Sequence, residues 1–126
     1  MNKKVYVCYD INNDYDIVIS FINDLYLTNA VDLVATSSDL LFEDIEGVKS
    51  MINKSDLFIV LCGYHTNISK NVTIESEIAE ALGKENLYIN CRYNRYKTNA
   101  PKNAKDTSII YQWSKENLML LKEKYQ

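Results

Sequence analysis

Along the chain, short unbroken apolar runs alternate with longer stretches in which apolar residues recur every three or four positions. Residues 5–9 (Val-Tyr-Val-Cys-Tyr) and Leu57–Cys62 (Leu-Phe-Ile-Val-Leu-Cys) are the clearest runs. Strands covered on both faces, as in a parallel sheet, read this way. Shorter strands are predicted at 31–35 and 86–91, and a short edge strand at 108–111. Helical spacing appears at Ile17, Val18, Phe21, Ile22 and Leu25, and more weakly at Ile45, Val48, Met51 and Ile52. These place helices from about 14 to 28, with Asn13 or Asp14 as cap, and over 43–54. Gly47 weakens the second by about 1 kcal/mol relative to Ala. A third helix is predicted from Val72 to Gly83, a favoured stop residue. A fourth covers 112–125, with Trp113, Leu118 and Leu121 inward. The order β-α-β-α-β-α-β-loop-α predicts an α/β fold of flavodoxin-like architecture, a parallel sheet with helices on both faces.

The helix after the strand at 57–62 carries an anomaly. At about 100° per residue, Val72, Ile74, Ile78, Ala79, Ala81 and Leu82 share one half of the wheel. Glu75 falls inside that half, whereas Glu77 and Glu80 fall opposite. A carboxylate among apolar neighbours, one turn beyond a polar loop, is either a structural partner or a working acid; the helix dipole favours a first-turn Glu in any case.

Length and composition narrow the alternatives. The 126 residues suit one domain spanning 1–126. A formal net charge of −3, with Arg92 and Arg95 the sole arginines, argues against a nucleic-acid surface. The three cysteines, Cys8, Cys62 and Cys91, match no metal spacing, and an odd number argues against a disulfide framework. Buried free thiols in a reducing cytoplasm are expected. No apolar run approaches the roughly 20 residues of a membrane span, and the N-terminus enters a strand without a signal-peptide core. A cytoplasmic location with no membrane partner is the expectation.

Chemistry is expected in the loops at the strand ends, where open α/β sheets bind ligands. These are residues 9–14, 36–39 and 64–71. With His65 the single histidine, a two-histidine metal site is excluded, and no metal is expected. Gly-rich dinucleotide and P-loop signatures are absent, as is a Gly-x-Ser-x-Gly elbow. A phosphoacceptor receiver domain shares the architecture, but it needs an aspartate where this chain has Cys62-Gly63. Residues 92–106 form one long irregular segment with basic and aromatic residues. It reads either as a flap for a phosphate-bearing ligand or partner, or as a solvated loop.

Three segments carry a family resemblance. The strand ending Tyr9-Asp10, followed by Asp14, is similar to the opening of TIR-like domains. The run Ser55–Gly63, then Thr66, Val72, Glu75 and Ala81-Leu82-Gly83-Lys84, is similar to the family's central strand, Gly-x-x-Thr loop and glutamate helix. Pro101-Lys102-Asn103-Ala104 with Ile110–Ser114 and Glu116-Asn117-Leu118 resembles its C-terminal tail. The chain thus resembles the ThsB-like TIR proteins of Thoeris antiphage defence over nearly its whole length. It departs from many TIR domains in carrying Thr73-Ile74 where they have Trp-Cys.

The resemblance implies an enzyme that cleaves the nicotinamide–ribose bond of NAD and makes a cyclic or conjugated ADP-ribose that activates a partner effector. NAD is then the substrate, no further cofactor is implied, and a homo-oligomer is compatible. Aligned through Val72 and Gly83-Lys84, the family's catalytic glutamate falls on Glu75. Tyr9, Asp10, His65 and Thr66 are expected substrate contacts from the converging loops. Two alternatives remain: a non-catalytic TIR-type interaction or nucleotide-binding module, and another flavodoxin-like nucleotide enzyme.

Overall fold

The computed structural model describes residues 2–29, 31–92, 98–114 and 116–118. Five strands, β1 (Lys3–Cys8), β2 (Val31–Thr36), β3 (Leu57–Cys62), β4 (Glu85–Asn90) and β5 (Ile110–Gln112), form one sheet in the order β2-β1-β3-β4-β5. Every pairing is parallel. This is the flavodoxin-like α/β fold that the run pattern predicts. The chain steps from β1 to β2 on one side and then crosses back to β3 on the other. The ends of β1 and β3 therefore flank the topological switch point, where such sheets open a crevice.

Alternation along the strands sorts two cores. Val5, Val7 and Tyr9 of β1 and its end, with Leu57, Ile59 and Leu61 of β3, meet Phe21 and Leu25 of α1 (Tyr15–Thr28) on one face. Tyr6, Cys8, Phe58, Val60 and Cys62 point the other way. There they meet Ile52 of α3 (Ile45–Lys54) and Val72 and Ala79 of α4 (Lys70–Ala81). All six residues of β3 are buried, which is why it reads as an unbroken run. The parity matters for the site: Tyr6 lies on the α4 face. Tyr6 and Phe58 stack there with ring centroids 5.6 Å apart.

The helix ends follow side-chain chemistry. Ser69 caps α4 and accepts from Val72 N, so the helix begins two residues earlier than the apolar pattern predicts. At its other end Gly83 adopts φ 68°, with Gly83 N donating to Glu80 O and Lys84 N to Ala79 O. That is the double hydrogen bond of a left-handed helix stop, and it explains the glycine. The predicted helix at 43–54 is α3, which starts two residues late, and a short helix that the pattern did not predict, α2 (Leu40–Glu43), precedes it. Asp44 sets the start of α3 by capping Gly47 N, and a Cβ on Gly47 would lie 2.4 Å from Asp44 Oδ2. Gly47 thus makes room for the cap.

Asp14 departs from its predicted role. It sits at the cap position of α1, but its side chain makes no cap bond. Its Oδ1 instead accepts from Arg92 Nη2 at 2.8 Å and Arg92 Nε at 3.2 Å. Arg92 also pairs with Asp16 and donates to Asn13 O. Asp14 Oδ2 is buried and accepts no hydrogen bond among the described residues. It lies against Gly63, where an added Cβ would stand 2.3 Å away. Burial pushes the Asp14 carboxyl up, and Arg92 pulls it partly back.

The C-terminal part is short in described structure. Trp113 donates to Asp24 Oδ2 and meets Phe21 edge-on, and Leu118 is buried, so both turn inward as predicted. Gln112 belongs to β5 and not to a helix. Residues 116–118 are helical; residue 115 and residues 119–126 of the predicted last helix, Leu121 among them, lie outside the described residues, as do Tyr93, Arg95, Tyr96 and Lys97 of the basic segment.

Gly63→Ala is expected to displace Asp14 from Arg92 and to lower stability by about 1–3 kcal/mol. Urea titration of the purified protein measures it. A midpoint unchanged from wild type contradicts the close approach.

Candidate functional site

The buried face of α4 is narrower than its apolar residues suggest. Asn71, Val72, Glu75, Ser76 and Ala79 are buried. Ile74, Ile78, Ala81 and Leu82 instead line a groove of about 720 Å³ between α3 and α4, and Glu77 lines it too. Glu75 alone of the helix's three glutamates enters the interior, at 0% exposure; Glu77 and Glu80 are exposed.

Glu75 is held by three neutral donors from three parts of the chain. Tyr6 Oη donates to Oε1 at 2.5 Å, and Ser37 Oγ to the same oxygen at 2.7 Å. Asn71 Nδ2 donates to Oε2 at 2.7 Å. Burial raises the Glu75 carboxyl above its ordinary value near 4.5, and the Tyr6, Asn71 and Ser37 hydrogen bonds partly oppose that rise. Burial, reinforced by the Glu75 charge, pushes the Tyr6 phenol well up, so Tyr6 remains a donor. Cys8 is raised in the same way, and burial pushes Cys91 up to about 12. All three cysteines are buried free thiols.

The strand-end loops close over this carboxylate. Tyr9 N donates to Ser37 Oγ at 3.0 Å, and Tyr9 O accepts from Asn71 Nδ2 at 2.8 Å. Tyr9 thus joins the network through its backbone, while its ring packs into the α1-side core. Asp10 is buried and organises the turn, accepting from Asn12 N and Asn13 Nδ2. Thr66 is at 0% exposure, and its hydroxyl accepts from Gly63 N at 2.7 Å, closing the turn after β3. His65 is exposed.

An open basin of about 350 Å³ lies at these strand ends, lined by Asp10, Asn12, Asn13, His65, Ser69 and Lys70 among others. Of the predicted contacts, Asp10 and His65 line it; Tyr9, Thr66 and Glu75 do not. The structure therefore joins Tyr9 to Glu75 and Asp10 to His65, with Ser69 and Asn71 between the two groups. The segment 98–104 runs from this end along α4. Asn99 donates to Tyr64 O, and Asn103 donates to Ser76 O and Glu80 Oε2. Arg92 is committed to Asp14 and Asp16, so it is not a free cation of a phosphate flap.

Sequence reading missed Tyr6, Ser37 and Asn71. Asn71 stands four residues before Glu75 and so on the same helix face, a signal that was available. Tyr6 shares strand parity with Cys8. Nothing local marks Ser37 as the member of its polar loop that turns inward. Among the described residues, no three His, Cys, Asp or Glu side chains gather to hold a metal, and no helix is long and apolar enough to cross a membrane.

The chain matches no protein-family model. No curated protein is significantly similar to it.

A carboxyl raised by burial favours the folded state only while protonated. Its contribution is therefore fully present below about 4.5 and is lost as pH rises through the raised value. Glu75→Gln, which cannot ionise, is expected to gain stability relative to wild type as pH rises above about 4.5. Denaturant midpoints of both proteins from pH 4 to 8 check this. A constant difference would show that Glu75 is not shifted.

Proposed function

We propose that this chain is a TIR-type NAD-processing domain of bacterial antiphage defence, with Glu75 as its catalytic carboxylate. One observation carries the reading. The glutamate that the family resemblance selects is the one that α4 turns into the interior, beneath the switch point of a flavodoxin-like sheet.

In the proposed reaction the bond between the ribose anomeric carbon and the nicotinamide nitrogen breaks. Its electron pair leaves with nicotinamide, which becomes neutral, and positive charge develops on the ribose. A carboxylate that accepts from the ribose hydroxyls stabilises that charge more than it stabilises the substrate. Water, or a hydroxyl of the same or another molecule, then forms the new bond to the anomeric carbon and releases its proton. With water the product is ADP-ribose. With a hydroxyl it is a cyclic or conjugated ADP-ribose, which serves as a diffusible signal to an effector protein. Asp10 and His65 line the basin from which the substrate approaches. Ser37 and Asn71 hold the positions at Glu75 that the ribose hydroxyls take over.

A second reading is a non-catalytic nucleotide-binding or interaction module. The full burial of Glu75, with its oxygens already engaged, favours it.

The test compares Glu75→Gln with Glu77→Ala. The Gln side chain keeps an acceptor for Tyr6 and Ser37 and loses only the acceptor for Asn71 Nδ2, which its own amide then faces. Alanine would strand three buried donors at about 1–3 kcal/mol each and confuse folding with catalysis. Glu77 lines the groove on the α3 side. NAD and its products are followed by mass spectrometry in lysates of phage-challenged cells that express each protein. Glu75→Gln is expected to lower NAD turnover at least about a hundredfold, and Glu77→Ala to leave it within about twofold. Equal activity in the two variants removes Glu75 from the site. NAD left intact by the wild type favours the module reading.

A further inference from the structure

The basin and the buried carboxylate are separate, and one side chain divides them. Asn71 is 2% exposed and makes every hydrogen bond its amide allows. Its Nδ2 donates to Glu75 Oε2 at 2.7 Å and to Tyr9 O at 2.8 Å. Its Oδ1 accepts from Ser69 Oγ at 2.9 Å and from Ile11 N at 3.2 Å. Ser69 lines the basin. A path therefore runs from the basin through Ser69 and Asn71 to Glu75.

The direction of these bonds is fixed by the backbone. Ile11 N–H can only donate, so it sets Oδ1 towards the turn and Nδ2 towards Glu75. Tyr9 N–H likewise makes Ser37 Oγ an acceptor there, and its proton is left for Glu75. Two amides of the turn after β1 thus orient two relays, and both relays present donors to the carboxylate. A flipped Asn71 would set its oxygen against Glu75 and Tyr9 O.

We propose that Asn71 is the positioning residue for Glu75 and the latch that holds the 9–11 turn closed over it. Ligand hydroxyls then reach Glu75 by replacing the Asn71 amide as donors to Oε2, which frees the turn. The use of this motion for NAD rests on the function proposed above, but the latch itself does not. Tyr6, Cys8 and Tyr9 of β1 and its end are the titratable groups that feel the Glu75 charge most directly. Asp10 and Asp39 act on Cys8 and Tyr9 in turn.

The test uses Asn71→Leu and Asn71→Asp, both close to Asn in size. Hydrogen exchange at the Ile11 amide and the carboxyl carbon-13 titration of Glu75 are followed by NMR. Asn71→Leu is expected to speed Ile11 exchange about tenfold or more, the loss of one hydrogen bond, and to raise the Glu75 titration by about one pH unit. Asn71→Asp, with two facing carboxylates, is expected to raise it further. A folded Asn71→Leu protein with wild-type exchange and titration overturns the proposal. So does an Asn71→Asp protein whose Glu75 titrates no higher than in Asn71→Leu.

Should neither variant fold, the wild type decides alone. Ile11 protection, corrected for intrinsic exchange, is expected to fall as Glu75 becomes protonated, because a neutral carboxyl accepts from Nδ2 more weakly than a carboxylate does. Protection that stays flat across the titration overturns the latch. Where the wild type turns over NAD, Asn71→Leu is expected to move the acid limb of the kcat profile upward with Glu75; an unmoved limb overturns the positioning role. A wild type inert towards NAD defeats the proposed function but leaves exchange and titration to judge the latch.

Discussion

An acid buried among neutral partners is the constraint on which this structure turns. Glu75 has no ion-pair partner among the described residues, only a phenol, a hydroxyl and an amide. An ionised carboxylate at full burial costs several kcal/mol, and hydrogen bonds to a charged group each return about 1.5–3 kcal/mol. The two sides are of similar size, which makes the site sensitive to the loss of any one donor. The same acid ties α4 to β1 and to the end of β2, so the helix that completes one face of the sheet is seated through a polar contact. Apolar packing by Val72 and Ala79 fixes the helix against the sheet; the polar contacts around Glu75 fix its angle and depth.

Polarity also gives the switch-point end its character. Strands β1 and β3 are apolar to their last residues, then give way to Asp10 and Gly63. Beyond that line the backbone turns are closed by side chains: Asp10 for the first, Thr66 for the second, Ser37 and Asn71 between them. Several polar residues that look like ligand contacts in the sequence are spent on holding loops in place. A smaller set faces the basin. The distinction between residues that build a loop and residues that meet a ligand is one of direction, and composition carries no direction.

The fold was legible because burial on both faces leaves an unbroken apolar run, and β3 is buried at every position. The inward turn of Glu75 was legible from its angle among apolar neighbours, and the end of α4 from Gly83. Ser37 and Tyr6 were not, because their bonds to Glu75 join positions 38 and 69 residues apart in the chain. Asp14 misled for a related reason. Its place before α1 suits a cap, but Arg92, 78 residues away, offers a charged donor that outcompetes the helix amides. The start of α3 was hidden because Glu43, Asp44 and Glu46 are all acidic residues suited to a helix N-terminus, and only the bond from Gly47 N singles out Asp44 as the cap.

The contact among Asp14, Gly63 and Arg92 bears on how the sequence drifts over generations. A larger residue at 63 needs a smaller one at 14, and a smaller one at 14 leaves the guanidinium of 92 without its buried partner. A bulkier residue at 63, or a shorter one at 14, disturbs the other two. Descendants of this chain should inherit the trio intact or exchange it as a set, so correlated change at three sites distant in sequence marks how far a lineage has kept this strand-end geometry.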